Sequence, residues 1–193
     1  MDDRNVLLKF FQNLSDVPIS EWAYFLTQIR LQKYKKAETL FKVDEHSDLI
    51  GFVVRGLVYT YYLSSSGSLF VKYFAWEGKL ISPYVSIIAG KKSSFTAEAL
   101  SDTTIIYITG ETLAKLLKRN VCWERIARKC AESLLMQREK REYESLTMDN
   151  LARYESFRNE FQPILDRIPQ HIIAGYLGIS PISLSRIINK KNT

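Results

Sequence analysis

Cysteine, histidine and proline are scarce in this chain of 193 residues, which holds two, two and five of them. Cys122 and Cys130 stand eight apart on one predicted helix, a placement in which they do not readily bridge. No disulfide framework is expected, and a reducing, cytoplasmic setting fits. These two thiols suit packing in a helix seam, with redox sensing as the alternative. His46 and His171 lie in different segments, so no metal site is expected and no cofactor is implied. No apolar run approaches the roughly 20 residues that cross a bilayer. The start Met1-Asp-Asp-Arg-Asn5 lacks the basic-then-apolar order of a signal peptide, so a membrane partner is not expected. Gly-rich phosphate loops, a nucleophile elbow and a well-spaced carboxylate pair are also missing, which speaks against an enzyme.

What remains is an ordinary globular composition, 46% hydrophobic and 25% charged, with a net charge of +6. The basic excess is shared evenly: residues 1–120 carry 15 basic and 12 acidic residues, and 121–193 carry 12 and 9. Near the end the balance sharpens. Over 163–193, Arg167, Arg186, Lys190 and Lys191 face only Asp166, a cationic surface suited to phosphates.

The periodicity reads as helix, then strands, then helices. Val6, Leu7, Phe10 and Phe11 form a helical stripe, and a second helix starts with Ser20 as its N-cap and carries Trp22, Phe25, Leu26 and Ile29. Beyond Arg30, short β-rich runs alternate with turn clusters, as in a sandwich or barrel. Phe52–Arg55 turns at Gly56 into Leu57–Leu63, and Ser64-Ser-Ser-Gly67 closes a hairpin with Leu69–Phe74. After a short helical stretch near Pro83–Ala89, Phe95–Leu100 and Thr104–Ile108 read as further strands.

From Val121 to Leu146 the chain has no Gly or Pro, enough for a helix of about seven turns. Trp123, Ile126, Ala127, Cys130, Leu134 and Leu135 make a narrow apolar seam along it. Such a seam pairs with a copy of itself or packs onto its own β-domain; self-pairing is the expectation, with Trp123, Ile126, Ala127, Cys130 and Leu134 as the dimer interface. A further helix from about Asp149 carries Leu151, Tyr154, Phe157 and Phe161 and ends before Pro163.

The last thirty residues are the most specific. Gln170–Asn189 meets each demand of a helix-turn-helix: Ala174 where two backbones cross, Gly178 for a turn at positive φ, and Ile173, Leu177, Ile179, Leu184 and Ile187 as contacts between the helices. Ser180 and Pro181 suit the N-cap and first turn of the second helix.

Two helices, a β-roll, a long helix and a terminal helix-turn-helix together resemble the cyclic-AMP receptor and fumarate–nitrate regulator (Crp/Fnr) family of bacterial transcription regulators. The stretch Arg167-Ile-Pro-Gln-His-Ile-Ile-Ala-Gly-Tyr-Leu-Gly-Ile-Ser-Pro-Ile-Ser-Leu-Ser-Arg186 is similar to one branch's signature, as is Arg153-Tyr154. Phe52-Val-Val-Arg-Gly56, Tyr61-Tyr-Leu63 and Gly67 match its sensor hairpin.

The resemblance implies an α+β fold. An N-terminal β-roll of the cyclic-nucleotide-binding kind (a double-stranded β-helix) would span 1–120, a dimerisation helix 121–146, and a winged-helix-like helix-turn-helix 147–193. It further implies a homodimer on a pseudo-palindromic double-stranded DNA operator, with RNA polymerase and a small-molecule effector as further partners. Gln170, Ser180, Pro181, Ile182, Ser183, Ser185, Arg186 and Lys190 become the DNA-contacting residues. Arg186 either reads a guanine or clamps a phosphate. Ile182 replaces an acidic residue common in the family and offers only apolar contact, for instance to a thymine methyl.

An effector pocket is expected among Tyr61, Tyr73, Ser82, Pro83, Ser93, Ser94 and Phe95. The family's cyclic-nucleotide binders use a Gly-Glu pair and an Arg-Ser pair. Here Ser82-Pro83 and Ser93-Ser94 occupy those places, so both charged ligands are missing and control by cyclic AMP is not expected. No cysteine precedes residue 122, so the N-terminal iron–sulfur cluster of the family's oxygen sensors has no counterpart. The competing reading is a β-roll that binds ligand or protein and whose C-terminal helices never touch DNA.

Overall fold

The computed structural model describes residues 3–191, with side chains for 6–189. Helices α1 (Asp3–Gln12) and α2 (Ile19–Gln28) precede strands β1 (Arg30–Tyr34), β2 (Thr39–Phe41), β3 (Leu49–Arg55), β4 (Leu57–Leu63), β5 (Leu69–Trp76) and β6 (Leu80–Ile81). Short α3 (Tyr84–Ile88), β7 (Thr96–Ala99) and β8 (Thr103–Thr109) follow. Then come α4 (Gly110–Arg119), α5 (Val121–Thr147), α6 (Asn150–Glu160), a 3-10 turn at Gln162–Arg167, α7 (Gln170–Leu177) and α8 (Pro181–Lys191). Among the described residues no strand follows Thr109. Helix α4 and strands β1, β2 and β6 are additions to the elements named from sequence. The second helix starts at Ile19 after Pro18, with Ser20 inside its first turn and not as its cap.

Two antiparallel four-stranded sheets, ordered β1-β8-β3-β6 and β2-β7-β4-β5, face each other as a β-roll. Strand alternation decides which side chains meet between them. Leu49 and Val53 of β3, Ile105 of β8, Val58 of β4 and Ala75 of β5 point inward with Phe41 and Phe95. On the outer side of the first sheet, Phe52, Ile106 and Ile108 bury against Leu7, Phe11 and Phe25 of α1 and α2.

Trp123 and Ile126 of α5 complete that outer layer, with only 3% and 5% of their surfaces exposed. The Trp123 indole N–H donates to Glu21 (3.0 Å), and Arg119 holds the same carboxylate (3.0 Å). The first third of the apolar seam is therefore closed onto its own chain, and Trp123 and Ile126 are not free for a second copy. The reason is local: α1 and α2 leave an aromatic face that only α5 covers.

The second sheet's outer face is covered by the C-terminal helices. Leu57, Tyr59, Val71 and Phe74 form one core with Tyr154, Phe157, Phe161, Ile164, Ile173, Leu177 and Leu184. Gly175 of α7 makes this contact close: a Cβ there would lie 3.1 Å from the Leu69 carbonyl. Phe74 is fully buried, with its ring 5.3 Å from that of Phe161 and 5.6 Å from that of Tyr176. Phe74→Ala should destabilise the chain by about 3–5 kcal/mol, because both the transfer of the ring and the cavity left behind act. Urea denaturation should show it as a lowered midpoint; a change under about 1 kcal/mol would mean that the sheet and the C-terminal helices do not share this core.

Candidate nucleic-acid interface and effector cavity

Helices α7 and α8 meet at 104°. Gly178 makes the turn possible at φ 65° and ψ 32°, where a side chain would be strained, and the N–H groups of Gly178 and Ile179 both cap the Ala174 carbonyl. Ser180 acts as the N-cap of α8: its Oγ accepts from the Ser183 N–H at 3.1 Å. Leu184 is fully buried and anchors α8 on α7. The opposite side of α8 is open. Ile182 is 67% exposed, and Ser180, Pro181, Ser185 and Arg186 are exposed beside it, with Ser183 half-buried. Gln170 is exposed at the start of α7. The expected contact residues are thus exposed, apart from half-buried Ser183; the Lys190 side chain lies outside the described residues.

Two arginines, Arg141 and Arg167, fasten this unit to the β-roll, and a third, Arg153, ties its own helices together. Arg141 of α5 donates to the carbonyls of Lys72 (2.7 Å), Val71 (2.7 Å) and Tyr176 (2.8 Å), and stacks 4.2 Å from the Tyr176 ring. Arg153 of α6 donates to the Leu177 carbonyl at the C-terminal end of α7, where the helix dipole favours a cation. Arg167 forms a two-pronged pair with Glu77 (2.8 and 3.2 Å), whose carboxylate also accepts from the Gly56 N–H (2.7 Å). Burial pushes the Glu77 carboxyl up, but the bonds from Arg167 and Gly56 outweigh it and hold the group below the usual carboxylate range. Arg167 is therefore engaged with the β-roll in this arrangement.

Between the β-roll and α5 lies a cavity of about 1060 Å³. Of the residues expected around an effector, Tyr73, Ser82, Ser94 and Phe95 line it; Tyr61, Pro83 and Ser93 are not among its lining residues. The Tyr61 ring stacks on Tyr59 at 4.9 Å and its hydroxyl donates to Glu98 (3.2 Å), on the sheet face that carries the C-terminal helices. Pro83 is fully buried ahead of α3. Ser93 is buried, and its hydroxyl donates to the Phe95 carbonyl (2.7 Å), so it holds its own loop.

Sequence reasoning missed Lys72 and Arg138, which also line the cavity. The cause is a β-bulge: Thr60 pairs with Tyr73 and Tyr61 with Val71, so Lys72 is an extra residue between them. Its ammonium lies 3.5 Å from the Phe95 ring centre. Burial, and then the charge of Arg138, bring its pKa down to about 8. Strand alternation alone gives no hint of this placement. Cys130 lies on the α5 wall, where burial pushes its thiol up to about 11; it stays protonated at neutral pH and is a poor nucleophile there. That suits packing better than redox sensing.

Among the described residues, no group of three or more His, Cys, Asp or Glu side chains is placed to hold a metal ion. No single helix is long and apolar enough to cross a membrane.

The cyclic nucleotide-binding domain family matches residues 31–120, which span the eight strands and α3 and α4. No curated protein matches the chain. Among solved structures the chain is similar to FixK2 from Bradyrhizobium japonicum: 22% identity, TM-score 0.75, covering 84% of this chain and 83% of that one. It is similar to a transcriptional regulator of the Crp/Fnr family from Eubacterium rectale, at 19% identity and TM-score 0.73, covering 91% and 83%. The c-di-GMP responsive global regulator CLP from Xanthomonas campestris gives 12% identity and TM-score 0.74, covering 91% and 92%. At these identities the likeness establishes the fold: a cyclic-nucleotide-binding β-roll with C-terminal helices, as in Crp/Fnr transcription regulators.

Proposed function

We propose that this chain, which has the fold of the Crp/Fnr transcription regulators, is a homodimeric, sequence-specific DNA-binding regulator and not an enzyme. The observation that carries the reading is the open side of α8. A helix whose inner residue Leu184 is fully buried, and whose outer residues Ile182 and Arg186 stand free beside two serines, suits insertion into a major groove. In this reading 1–120 senses, 121–146 dimerises and 147–193 binds DNA.

Dimerisation draws on the later part of α5. Residues 131–140 are all exposed, and Leu134, Leu135 and Met136 are 43%, 58% and 71% exposed, followed by Leu146 at 78%. Apolar side chains grouped on one exposed helix favour pairing with a second copy. Compared with the seam read from sequence, the interface moves along the helix: Leu134 and Leu135 stay, Trp123 and Ile126 leave, and Met136 joins. RNA polymerase is the natural further partner of such a dimer in the cytoplasm.

Cyclic AMP is not the effector in this reading. Ser93 turns its hydroxyl into its own loop, and Pro83 offers neither a carboxylate nor a backbone N–H. Calorimetric titration with cyclic AMP and cyclic GMP should show no binding tighter than about 1 mM, equivalent to ~4 kcal/mol. Saturable micromolar binding of either would overturn this part of the reading.

DNA binding is tested with fluorescence anisotropy on the best-bound of a set of duplexes tiling the DNA upstream of the coding region. Affinity should fall steeply with salt, and Arg186→Ala should lose about 1–3 kcal/mol on that duplex with less loss on a random one. Equal loss on both would assign Arg186 to phosphate. Absence of any salt-dependent affinity would instead favour a β-roll module without a DNA function.

A further inference from the structure

We infer that the cavity between the β-roll and α5 binds a small organic anion with an apolar body, its oxyanion head held between Lys72 and Arg138. This rests on the reading of that cavity as the effector site, and adds the class of ligand it takes.

The first support is the position of Lys72. As the extra residue of the β4–β5 bulge it is turned inward against the ring of Phe95, a residue of the β-roll interior. Among the described residues no carboxylate pairs with it. A desolvated ammonium with only a ring face for company is an uncompensated charge, and such charges are commonly matched by an anion. The bulge makes this arrangement specific, since a regular strand would have kept the residues on either side of Lys72 in alternation.

The second support comes from the opposite wall. Arg138 of α5 lines the same cavity, and its charge acts on Lys72. Two other lining cations are engaged, Lys140 with Glu160 and Glu144 and Arg141 with three carbonyls, whereas Lys79, like Lys72, has a ring face and no carboxylate. Lys129 lines the cavity two turns before Arg138 on α5. Glu142, one turn beyond Arg138, is the lining carboxylate that would compete, and no ion pair joins it to either cation. Two cations from different elements, facing one space, fit the two or three oxygens of a carboxylate or phosphate head.

A third, independent observation is Ser82. Its Oγ is buried without a hydrogen-bond partner, and Ser82 lines this cavity from the β6–α3 connection. A buried hydroxyl left unsatisfied costs about 1–3 kcal/mol, so a bound acceptor there is favoured. The remaining walls are apolar or aromatic, with Tyr62, Tyr73, Ile81, Phe95 and Leu134 among them. They suit a hydrocarbon or ring body better than a sugar.

The test is calorimetry on the full chain with two matched pairs: decanoate with decanol, and 2-naphthoate with 2-naphthol, plus inorganic phosphate. At least one carboxylate should bind saturably and at least tenfold tighter than its alcohol, and phosphate alone should not bind. Lys72→Met and Arg138→Gln should each weaken the carboxylate at least fivefold and leave the alcohol unchanged, which also shows that the cavity is still formed. The inference is overturned if acid and alcohol bind equally, if neither carboxylate binds, if phosphate binds as tightly, or if both variants keep wild-type affinity. DNA affinity measured on the same sample separates the two readings. Persistent DNA binding without carboxylate binding sinks this inference alone, and carboxylate binding without DNA binding sinks the other.

Discussion

One guanidinium joins the three parts of this molecule. Arg141 leaves the long helix α5 and donates to two carbonyls of β5 and one of α7. It has no carboxylate partner for its charge there, and burial lowers its pKa. The arrangement is tolerable because three carbonyl dipoles and the Tyr176 ring take the place of a counter-ion. Hydrogen bonds to a charged donor contribute about 1.5–3 kcal/mol each, so this one side chain ranks with a buried aromatic in holding the fold. Without it, two strand carbonyls at a bulge and one carbonyl near the end of α7 would lose their partners.

The same contact ties the cavity to the C-terminal helices. The Lys72 carbonyl accepts from Arg141, while the Lys72 ammonium faces the cavity. A shift of the bulge that moves the ammonium must therefore move a carbonyl bound to Arg141, whose other branch holds the Tyr176 carbonyl of α7. Gly175 brings α7 so close to β5 that the helix has little room to slide without leaving the sheet. Packed faces of this kind rearrange between discrete states more readily than they deform. The chain thus carries a short physical connection from the cavity to the placement of α7, with Arg167 and Glu77 as a second fastening at the far edge.

How much was legible in the sequence depended on whether the signal was local. The helix-turn-helix was readable because its demands fall within twenty residues: Gly178 at positive φ, Ser180 as cap and Leu184 inward are each local chemistry. The β-roll was readable from alternation, although β1 and β2 are short and half-polar and were not separately visible. The cavity was only half readable. Tyr73, Ser82, Ser94 and Phe95 were expected, but a bulge in β5 opposite Thr60 and Tyr61 adds a residue to that strand. That bulge brings Lys72 in, which a two-residue period does not convey, whereas Tyr61 faces away by plain alternation with Leu57 and Tyr59 on the outer face of β4. Trp123 and Ile126 were misplaced for a different reason. An apolar stripe on a helix says that something covers it, and only the tertiary arrangement of α1 and α2 says what.

The central claim, that Arg141 holds α7 onto the β-roll, is tested by amide hydrogen exchange on Arg141→Met, which keeps an apolar stem and removes the donors. The account predicts that the amides of Ile172–Leu177 exchange at least tenfold faster, a loss of about 1.4 kcal/mol or more of local protection, while those of Leu49–Arg55 and Thr103–Thr109 keep their rates. Unchanged exchange in α7, or an equal acceleration across both segments of the β-roll, would contradict it.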